Sequence, residues 1–311
     1  MSNRPRCAVV GAANIDIGGF PHGRLAMQDS NPGRVSLSAG GVGRNIACNL
    51  ARLGVQTWLA APLGADAFAD ILRAECARAG VDTSRCFTFP DAASSSYLFI
   101  ADAAGDMQLA VNDMAICERV TPAALAGLVD FLNGMDAVVL DANLPAEALR
   151  FLAENLTPPL LADAVSAAKA PRLAAILPRL RTVKPNALEA EALTGLAVYD
   201  RPSAEAAARR LVALGVGQAC VTLGERGVCC ADGDGALFIP GPPVQLVNAT
   251  GAGDAFTAAL AWAQLRGLGL ADSARAGLAA AALAVESART VSPEMSQDAL
   301  LARLASLPPI P

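Results

Sequence analysis

The run Asn248-Ala-Thr-Gly-Ala-Gly-Asp254 leads directly into the apolar stretch Ala255-Phe-Thr-Ala-Ala-Leu-Ala-Trp-Ala263. This pattern predicts a glycine-rich turn that opens a helix. Small residues at Gly251, Ala252 and Gly253 allow several backbone N–H groups to converge on one anion. The positive end of the helix dipole adds to the attraction. The stretch therefore favours a phosphate-binding turn.

Asp254 places one carboxylate beside this predicted anion site. A carboxylate repels phosphate, but it can take a proton from a hydroxyl that is about to attack phosphorus. The same letters also fit a plain flexible turn in which Thr250 or Asp254 is the N-cap of the helix. The stretch alone leaves both interpretations open.

A second glycine-rich run, Gly40-Gly-Val-Gly-Arg-Asn45, opens a predicted helix that ends before Gly54. Gly41 and Gly43 resemble the start of a dinucleotide-binding fingerprint. However, Ile46 occupies the third small position, and no acidic residue follows a strand at the expected distance. A nicotinamide enzyme is therefore disfavoured.

Together the two runs resemble the two signatures of the ribokinase-like carbohydrate kinases, the phosphofructokinase-B type, and the resemblance extends over nearly the whole chain. It implies a single domain over residues 1–311, an α/β fold of three α/β/α layers with a mostly parallel central sheet and a small antiparallel β lid. It also implies a kinase that uses ATP and Mg²⁺. In such a kinase Asp254 is the general base, and the amides of Gly251, Ala252 and Gly253 stabilise the transferred phosphoryl group.

The composition limits other classes of function. Hydrophobic residues make up 53% and charged residues 17% of the 311 residues, which allows a large core. The net charge of −5 and the lack of a basic run disfavour nucleic-acid binding. No apolar run is long enough to cross a bilayer, and the eight cysteines form no CxxC pair, so we expect a cytoplasmic protein without a membrane partner. His22 is the single histidine, which excludes a histidine-rich metal site.

Apolar, β-branched runs alternate with helical patterns along most of the chain. Strands are predicted near residues 7–13, 56–61, 137–141, 160–163, 182–184 and 219–223, and helices near 44–53, 66–79, 122–133, 145–154, 171–178, 187–193, 203–214, 253–264 and 272–285. Such alternation predicts a parallel sheet that is covered on both faces.

Segments 14–39 and 95–112 break that rhythm, because they are more polar and the second alternates in hydrophobicity around a hairpin turn predicted at Ala104-Gly105. They predict a small antiparallel sheet. In the resembled family such a sheet is a lid over the substrate and often the dimer contact, which implies a homodimer through the lid.

Polar residues are predicted at the carboxyl ends of strands, where ligands of open parallel sheets collect. Asn14 and Asp16 follow the first strand, and Asn143 follows the strand that ends at Asp141. By the resemblance, the sugar contacts are Asn14, Asp16, Gly40, Gly41, Asn45, Asn143 and Asp254. Polar lid residues are the candidates for reading a base: Ser30, Ser96, Tyr97 and Asn112.

The run Lys184-Pro-Asn-Ala-Leu-Glu189 resembles a further family element, in which Asn186 and Glu189 reach phosphate or hold Mg²⁺ through its waters. A solvated helix start is the alternative interpretation. The other implied ATP contacts lie on two loops: Thr222, Gly224, Gly227, Thr250, Gly251 and Gly253. Asn248 stands where many members carry an aspartate linked to a monovalent cation, so a K⁺ requirement is doubtful.

Three elements are the most specific within the family: Asp29-Ser-Asn-Pro-Gly33, the Val-Gly-Arg form of the first glycine turn, and Asp163-Ala-Val-Ser166 with Lys169. They are similar to members that phosphorylate the 5′-hydroxyl of pseudouridine, and we expect that activity. Two alternatives remain open. One is a kinase for another ribosyl nucleoside or a free sugar, and the other is a non-catalytic sensor on the same fold.

Overall fold

The computed structural model describes residues 4–102 and 106–308. Its strands are β1 Arg6–Val10, β2 Asn14–Pro21, β3 Gly33–Gly40, β4 Gln56–Ala60, β5 Pro62–Leu63, β6 Val81–Asp82, β7 Phe87–Thr88, β8 Ser96–Ala101, β9 Met107–Asp113, β10 Ala137–Asp141, β11 Leu160–Asp163, β12 Leu180–Lys184, β13 Gln218–Thr222, β14 Gly227–Asp232 and β15 Gly235–Pro240. Its α-helices are α1 Val42–Arg52, α2 Ala67–Arg78, α3 Pro122–Ala126, α4 Val129–Asn133, α5 Ala146–Asn155, α6 Ala187–Thr194, α7 Arg201–Ala213, α8 Ala252–Gln264, α9 Leu270–Val285 and α10 Gln297–Ser306. Short 3₁₀ helices cover Ala115–Arg119, Ala170–Arg179 and Gly224–Arg226. No helix within the described ranges is both long and apolar enough to cross a bilayer.

The largest sheet has the strand order β15-β14-β13-β12-β11-β10-β1-β4-β6. Its strands pair in parallel from β6 to β13, and β14 and β15 add an antiparallel edge. The central strand β1 is buried on both faces, because Ala8 and Val10 pack into one core and Cys7 and Val9 into another. This confirms the predicted α/β/α architecture with a mostly parallel sheet.

The helices divide between the two faces of this sheet. The face that carries Cys7 and Val9 is covered by α1, α2, α8, α9 and α10, and the opposite face by α3 to α7. Helices α1 and α8, which begin at the two glycine-rich runs, pack against each other. This contact brings together two runs that are far apart in sequence.

A second, smaller sheet, here called the lid, has the strand order β3-β2-β8-β9. The pairs β2–β3 and β8–β9 are antiparallel, as predicted, while the central pair β2–β8 is parallel. The predicted small sheet apart from the main one is therefore confirmed. The hairpin turn predicted at Ala104-Gly105 lies outside the described residues.

Two predicted helices take a different form. Residues 122–133 form the two short helices α3 and α4, which are interrupted at Gly127 and Leu128. Ala170–Arg179 forms a 3₁₀ helix instead of an α-helix. Pro171 and Pro178 explain this, since neither has a backbone N–H and the ring of Pro178 blocks regular α-helical hydrogen bonding.

Candidate functional site

An open cavity of about 1190 Å³ lies between the lid and the carboxyl ends of the main strands. Its lining comes from lid strands β2, β3 and β8, helix α1, the later part of α2, the residues after β10 and β11, the turn and start of α8, and the segment 288–291. The predicted site residues in this lining are Asn14, Asp16, Gly41, Asn45, Tyr97, Asn143, Thr250 and Asp254. The cavity therefore joins residues from both glycine-rich runs.

The turn before α8 has a conformation that requires glycine. Gly251 is the N-cap with a φ of 87°, in the left-handed region, and a Cβ there would lie 2.2 Å from the carbonyl oxygen of Thr290. The side chain of Asn248 accepts a hydrogen bond of 2.9 Å from the backbone N–H of Thr250. Ala252 and Gly253 then begin α8. The free N–H groups of this first turn and the helix dipole suit an anion.

Asp254 lies in the first turn of α8 and lines the cavity. Its Oδ2 accepts a hydrogen bond of 2.8 Å from the side-chain amide of Asn45, which belongs to α1. Burial and the negative charge of Asp163 raise the pKa of Asp254 to about 8, although Asn45 and Lys184 act in the opposite direction. A carboxyl group with a pKa close to neutral pH is suited to accept a proton from a hydroxyl and release it again.

Charged side chains end three neighbouring strands, β10, β11 and β12. Asp141, Asp163 and Lys184 are register partners, so they form one row across the sheet. Asp163 Oδ2 lies 3.0 Å from Lys184 Nζ and accepts a hydrogen bond of 2.8 Å from the hydroxyl of Thr257 on α8. The row is buried and faces α8.

Lys184 supplies the positive charge of this row. Burial alone would lower the pKa of its ammonium group, but the carboxylates of Asp163 and Glu189 outweigh burial and raise the pKa above its ordinary value. A Cβ on Gly253 would lie 2.9 Å from Lys184 Nζ, so the ammonium group packs directly against the glycine turn. A permanent positive charge therefore lies beside the predicted anion site.

Asp141 supports the chain around the cavity. Its carboxylate accepts backbone hydrogen bonds from Ala12 at 2.8 Å and from Asn143 at 2.9 Å. Burial raises the pKa of Asp141. A Cβ on Gly11 would lie 2.3 Å from Asp141 Oδ2, so glycine is required there. Asp141 thus holds the segments that lead to Asn14 and Asn143.

The predicted sugar contacts surround the carboxylate of Asp16. Asn14 donates from Nδ2 to Asp16 Oδ1 at 2.7 Å, and a Cβ on Gly40 would lie 2.3 Å from Asp16 Oδ2. Gly41 has a φ of 96°, which again favours glycine. Burial raises the pKa of Asp16, while Asn14 and Arg44 oppose this change. The acceptor capacity of a carboxylate suits the paired hydroxyls of a sugar.

The residues after β10 and β11 also face the cavity. Asn143 accepts a hydrogen bond at Oδ1 from Lys169 Nζ, and its side chain also hydrogen-bonds the carboxylate of Asp141. Val165 has a φ of 66°, which is rare for a β-branched residue, and its backbone N–H donates to Asp163 Oδ1 at 2.9 Å. Such strain is concentrated at functional sites.

The four lid residues that the sequence predicts as contacts to a base take different positions in the structure, and only one of them lines the cavity. Tyr97 lines the cavity in one row with Asp16 and Asn112. Ser96 points to the opposite face, because neighbouring residues of a strand alternate. Asn112 is exposed on the edge strand β9, and Ser30 is exposed between β2 and β3. Ser30, Ser96 and Asn112 are not among the lining residues, whereas the rings of Phe20 and Phe99 are.

The predicted ATP and metal contacts lie beside the row, at the ends of β12 and β13. Asn186 and Glu189 form a capping box on α6: Asn186 Oδ1 accepts from Glu189 N at 3.0 Å, and Glu189 accepts from the backbone and side chain of Asn186 at 2.9 and 2.8 Å. Thr222 bridges to Asn186, and Gly224 and Gly227 have φ values of 63° and 117°. None of these five residues lines the cavity.

The sequence patterns assign no role to three buried charged residues of the site: Asp163, Lys184 and Arg44. Charged residues are rarely buried without a partner or a function. Asp163 and Lys184 each end a predicted strand of the parallel sheet, and this position is the signal that could have identified them. Arg44 carries no such signal, since it lies within the first turn of α1.

Comparison with known proteins supports the family and the fold. A family model of pfkB family carbohydrate kinases matches residues 4–297. The pseudouridine kinase of Escherichia coli (strain K12) is 35% identical over 298 residues, which cover 95% of each protein.

Two solved structures share the fold. A carbohydrate kinase from Agrobacterium tumefaciens has a TM-score of 0.88 and 32% identity, with 98% of both chains covered. The ribokinase of Arabidopsis thaliana, solved with ribose and ATP, has a TM-score of 0.86 and 22% identity over 97% of this chain and 99% of its own.

Proposed function

Because the chain belongs to the pfkB family of carbohydrate kinases, which makes it a sugar or nucleoside kinase, we propose that it phosphorylates the 5′-hydroxyl of pseudouridine with ATP. The products are pseudouridine 5′-phosphate and ADP. The observation that carries the choice of substrate is the 35% identity to a pseudouridine kinase over 95% of both chains. We further propose that the whole chain acts as one kinase domain in the cytoplasm.

Asp254 is the proposed general base, since it is the carboxylate at the start of α8 within the cavity. It takes the proton of the 5′-hydroxyl as the oxygen attacks the γ-phosphorus of ATP, and the bond from phosphorus to the leaving ADP oxygen breaks. The N–H groups of Gly251, Ala252 and Gly253 and the ammonium group of Lys184 stabilise the charge on the transferred group. Asn14, Asp16, Gly40, Gly41, Asn45 and Asn143 are the proposed ribose contacts.

The residues around Lys184 fit a magnesium–nucleotide complex. The carboxylate oxygens of Glu189 are hard ligands, and the bonds from Asn186 leave each of them further acceptor capacity, which suits the waters of a hydrated ion. Mg²⁺, when bound, neutralises the phosphate charge. Thr222, Gly224, Gly227 and Thr250 are the other proposed ATP contacts, and no role for K⁺ is proposed.

We expect kcat/KM for pseudouridine to exceed that for uridine by at least about tenfold. Pseudouridine turns a ring N–H to the position where uridine has a C–H, so an acceptor aimed at this N–H stays unpaired when uridine binds. The measurement is coupled ADP release with pseudouridine, uridine, inosine, adenosine and ribose. Ribose should be poorer still, because it lacks the contacts of the base to Tyr97 and Phe99, which line the cavity.

The panel also tests the alternative hypothesis, a kinase for another ribosyl nucleoside or a free sugar. The polar residues proposed to bind ribose line the cavity, and any ribosyl substrate offers them the same hydroxyls. If uridine, adenosine, inosine or ribose is phosphorylated as efficiently as pseudouridine, the choice of substrate is wrong while the kinase remains. No ADP release with any acceptor would support a non-catalytic sensor.

A homodimer through the lid is also proposed, because the lid face opposite Tyr97 leaves large apolar side chains exposed. One row of this face runs across the four strands and contains Leu37, Ile17, Leu98 and Val111. The exposed fractions are 68% for Val35, 54% for Leu37, 40% for Leu98, 58% for Leu109 and 60% for Val111. A second copy of the same face would cover them.

The variant Leu109→Lys/Val111→Lys is expected to convert this dimer to a monomer, because it places two charges within the apolar face. Light scattering after size exclusion should then give the 31.6 kDa of one chain instead of twice that mass. Leu301→Lys, at a residue 45% exposed on α10, is the matched control and should remain dimeric. A monomeric wild type, or a dimer that survives the double substitution, contradicts the lid interface.

A further inference from the structure

Arg44 is a buried arginine whose side chain hydrogen-bonds two groups at the end of the cavity that holds Asp254. It is 6% exposed. Its Nη1 donates to the carbonyl oxygen of Ala39, at the end of lid strand β3, and to Oδ1 of Asn45, both at 3.0 Å. Nδ2 of the same Asn45 amide donates to Asp254 Oδ2 at 2.8 Å. A hydrogen-bonded chain therefore runs from Arg44 through Asn45 to Asp254.

We propose that Arg44 is a positioning residue, whose guanidinium group fixes the Asn45 amide in the orientation that donates a hydrogen bond to Asp254. The inference rests on the proposed role of Asp254 as the base. An asparagine amide has one acceptor end and one donor end. If it rotated by half a turn, its NH₂ would face the donors of Arg44 and its oxygen would face the Asp254 carboxylate. The contact with Arg44 would be repulsive in either protonation state of Asp254, and the contact with Asp254 would be repulsive in its ionised form. Arg44 therefore favours one orientation of the amide.

This orientation matters because burial and two neighbouring carboxylates oppose the ionised form of Asp254. The carboxylates are Asp163 and Asp141, and Lys184 acts in the opposite direction. The Asn45 amide is the neighbour that donates a hydrogen bond directly to the carboxylate. A donor to the charged form of a carboxyl group lowers its pKa. Arg44 therefore acts on Asp254 through Asn45. Its hydrogen bond to Ala39 connects this series of hydrogen bonds to the lid.

The test is a pH titration of Asp254 by NMR in the full-length protein with ¹³C-labelled aspartate, in which Asp254→Asn identifies the signal. We expect Arg44→Met to raise the pKa of Asp254 by about one unit, the size expected for loss of a hydrogen bond to a charged group. Asn45→Ala should give the same change. The double variant should show no further change, because both substitutions interrupt the same chain. Arg44→Lys should restore most of the wild-type value.

Arg78→Ala is the control for loss of a positive charge at the cavity, at a side chain that is 72% exposed. It removes a positive charge from the same cavity wall, and its guanidinium pairs with Glu75 rather than with Asn45. The charge of Arg44 also acts to lower the pKa of Asp16 and of Cys48. The titration of Asp16 is therefore followed through its own NMR signal, and that of Cys48 by thiol labelling. If Arg44→Met does not fold, Arg44→Gln replaces it.

Three outcomes would overturn the inference: an unchanged Asp254 pKa in Arg44→Met, equal changes in Arg78→Ala, or additive changes in the double variant. Since this readout needs no turnover, a failure of the proposed kinase activity would be seen separately in the substrate panel. In an active enzyme we also expect kcat at neutral pH to fall at least about threefold in Arg44→Met and to recover as the pH rises.

Discussion

Replacing Asp254 by asparagine is expected to lower kcat about 10²–10⁴-fold, the range for loss of a general base. The substitution removes the proton acceptor but keeps the size of the side chain. It also leaves an oxygen for the hydrogen bond from Asn45, which spans 2.8 Å. Binding of the acceptor nucleoside should therefore survive. Steady-state kcat and a calorimetric Kd for the nucleoside measure both effects. A variant that keeps more than about a tenth of wild-type kcat would remove Asp254 from the mechanism.

Thermal stability provides the control for folding of this variant. Burial and the charge of Asp163 raise the pKa of Asp254 to about 8 in the folded chain. A raised pKa contributes stability that is fully present below the unfolded pKa of about 4 and is lost as the pH rises to about 8. Asparagine does not titrate. The Tm of Asp254→Asn relative to wild type should therefore increase between these two values and then level off. A lower relative Tm at pH 8 would indicate misfolding.

Replacing Lys184 by methionine should lower kcat about 10²–10³-fold, the range for removal of a donor that stabilises charge in the transition state. The ammonium group lies against Gly253 in the glycine-rich turn, and the residue is 5% exposed. Methionine fills a similar volume but brings no charge to the phosphoryl group. Measurement of kcat and of KM for ATP tests this role. A nearly unchanged kcat would show that Lys184 is only structural.

The same substitution leaves the buried carboxylate of Asp163 without its partner 3.0 Å away, which costs about 3–5 kcal/mol. Asp163→Asn removes that charge and can still accept the hydrogen bond from Thr257. The double variant Asp163→Asn/Lys184→Met should therefore regain stability and stay inactive. If it regains activity as well, the loss in the single variant came from misfolding around Asp163.

Local rules explain which parts of the fold could be predicted. The turn at Gly251 and the start of α8 depend on residues that are adjacent in sequence, and α8 begins at Ala252, one residue from the prediction. The strands β1, β10 and β11 are short apolar runs of a kind that only a buried parallel sheet accepts. The helical periodicity of residues 171–178 predicts an α-helix, but its two prolines give the 3₁₀ helix Ala170–Arg179.

Side-chain positions across the lid and the sheet could not be predicted in the same way. Whether Ser96 or Tyr97 faces the cavity depends on the phase of β8, and a shift of one residue exchanges the two. The contact between Asp163 and Lys184 depends on the register of two strands separated by a 3₁₀ helix. The chain from Arg44 to Asp254 depends on the packing of α1 against α8. These relations arise from tertiary structure, which single-sequence patterns do not contain.

The row Asp141, Asp163 and Lys184 has a consequence for engineering the substrate range. Its spacing is set by the backbone hydrogen bonds of β10, β11 and β12 in the middle of the main sheet. Such central strands open least often, whereas the proposed contacts to a base, Tyr97 and Phe99, lie on the lid, which is a separate sheet. The chemical step and the choice of acceptor are thus built on different parts of the molecule. Libraries confined to Phe20, Tyr97 and Phe99, which line the cavity from the lid, can therefore change which alcohol is accepted while the phosphoryl-transfer machinery keeps its geometry.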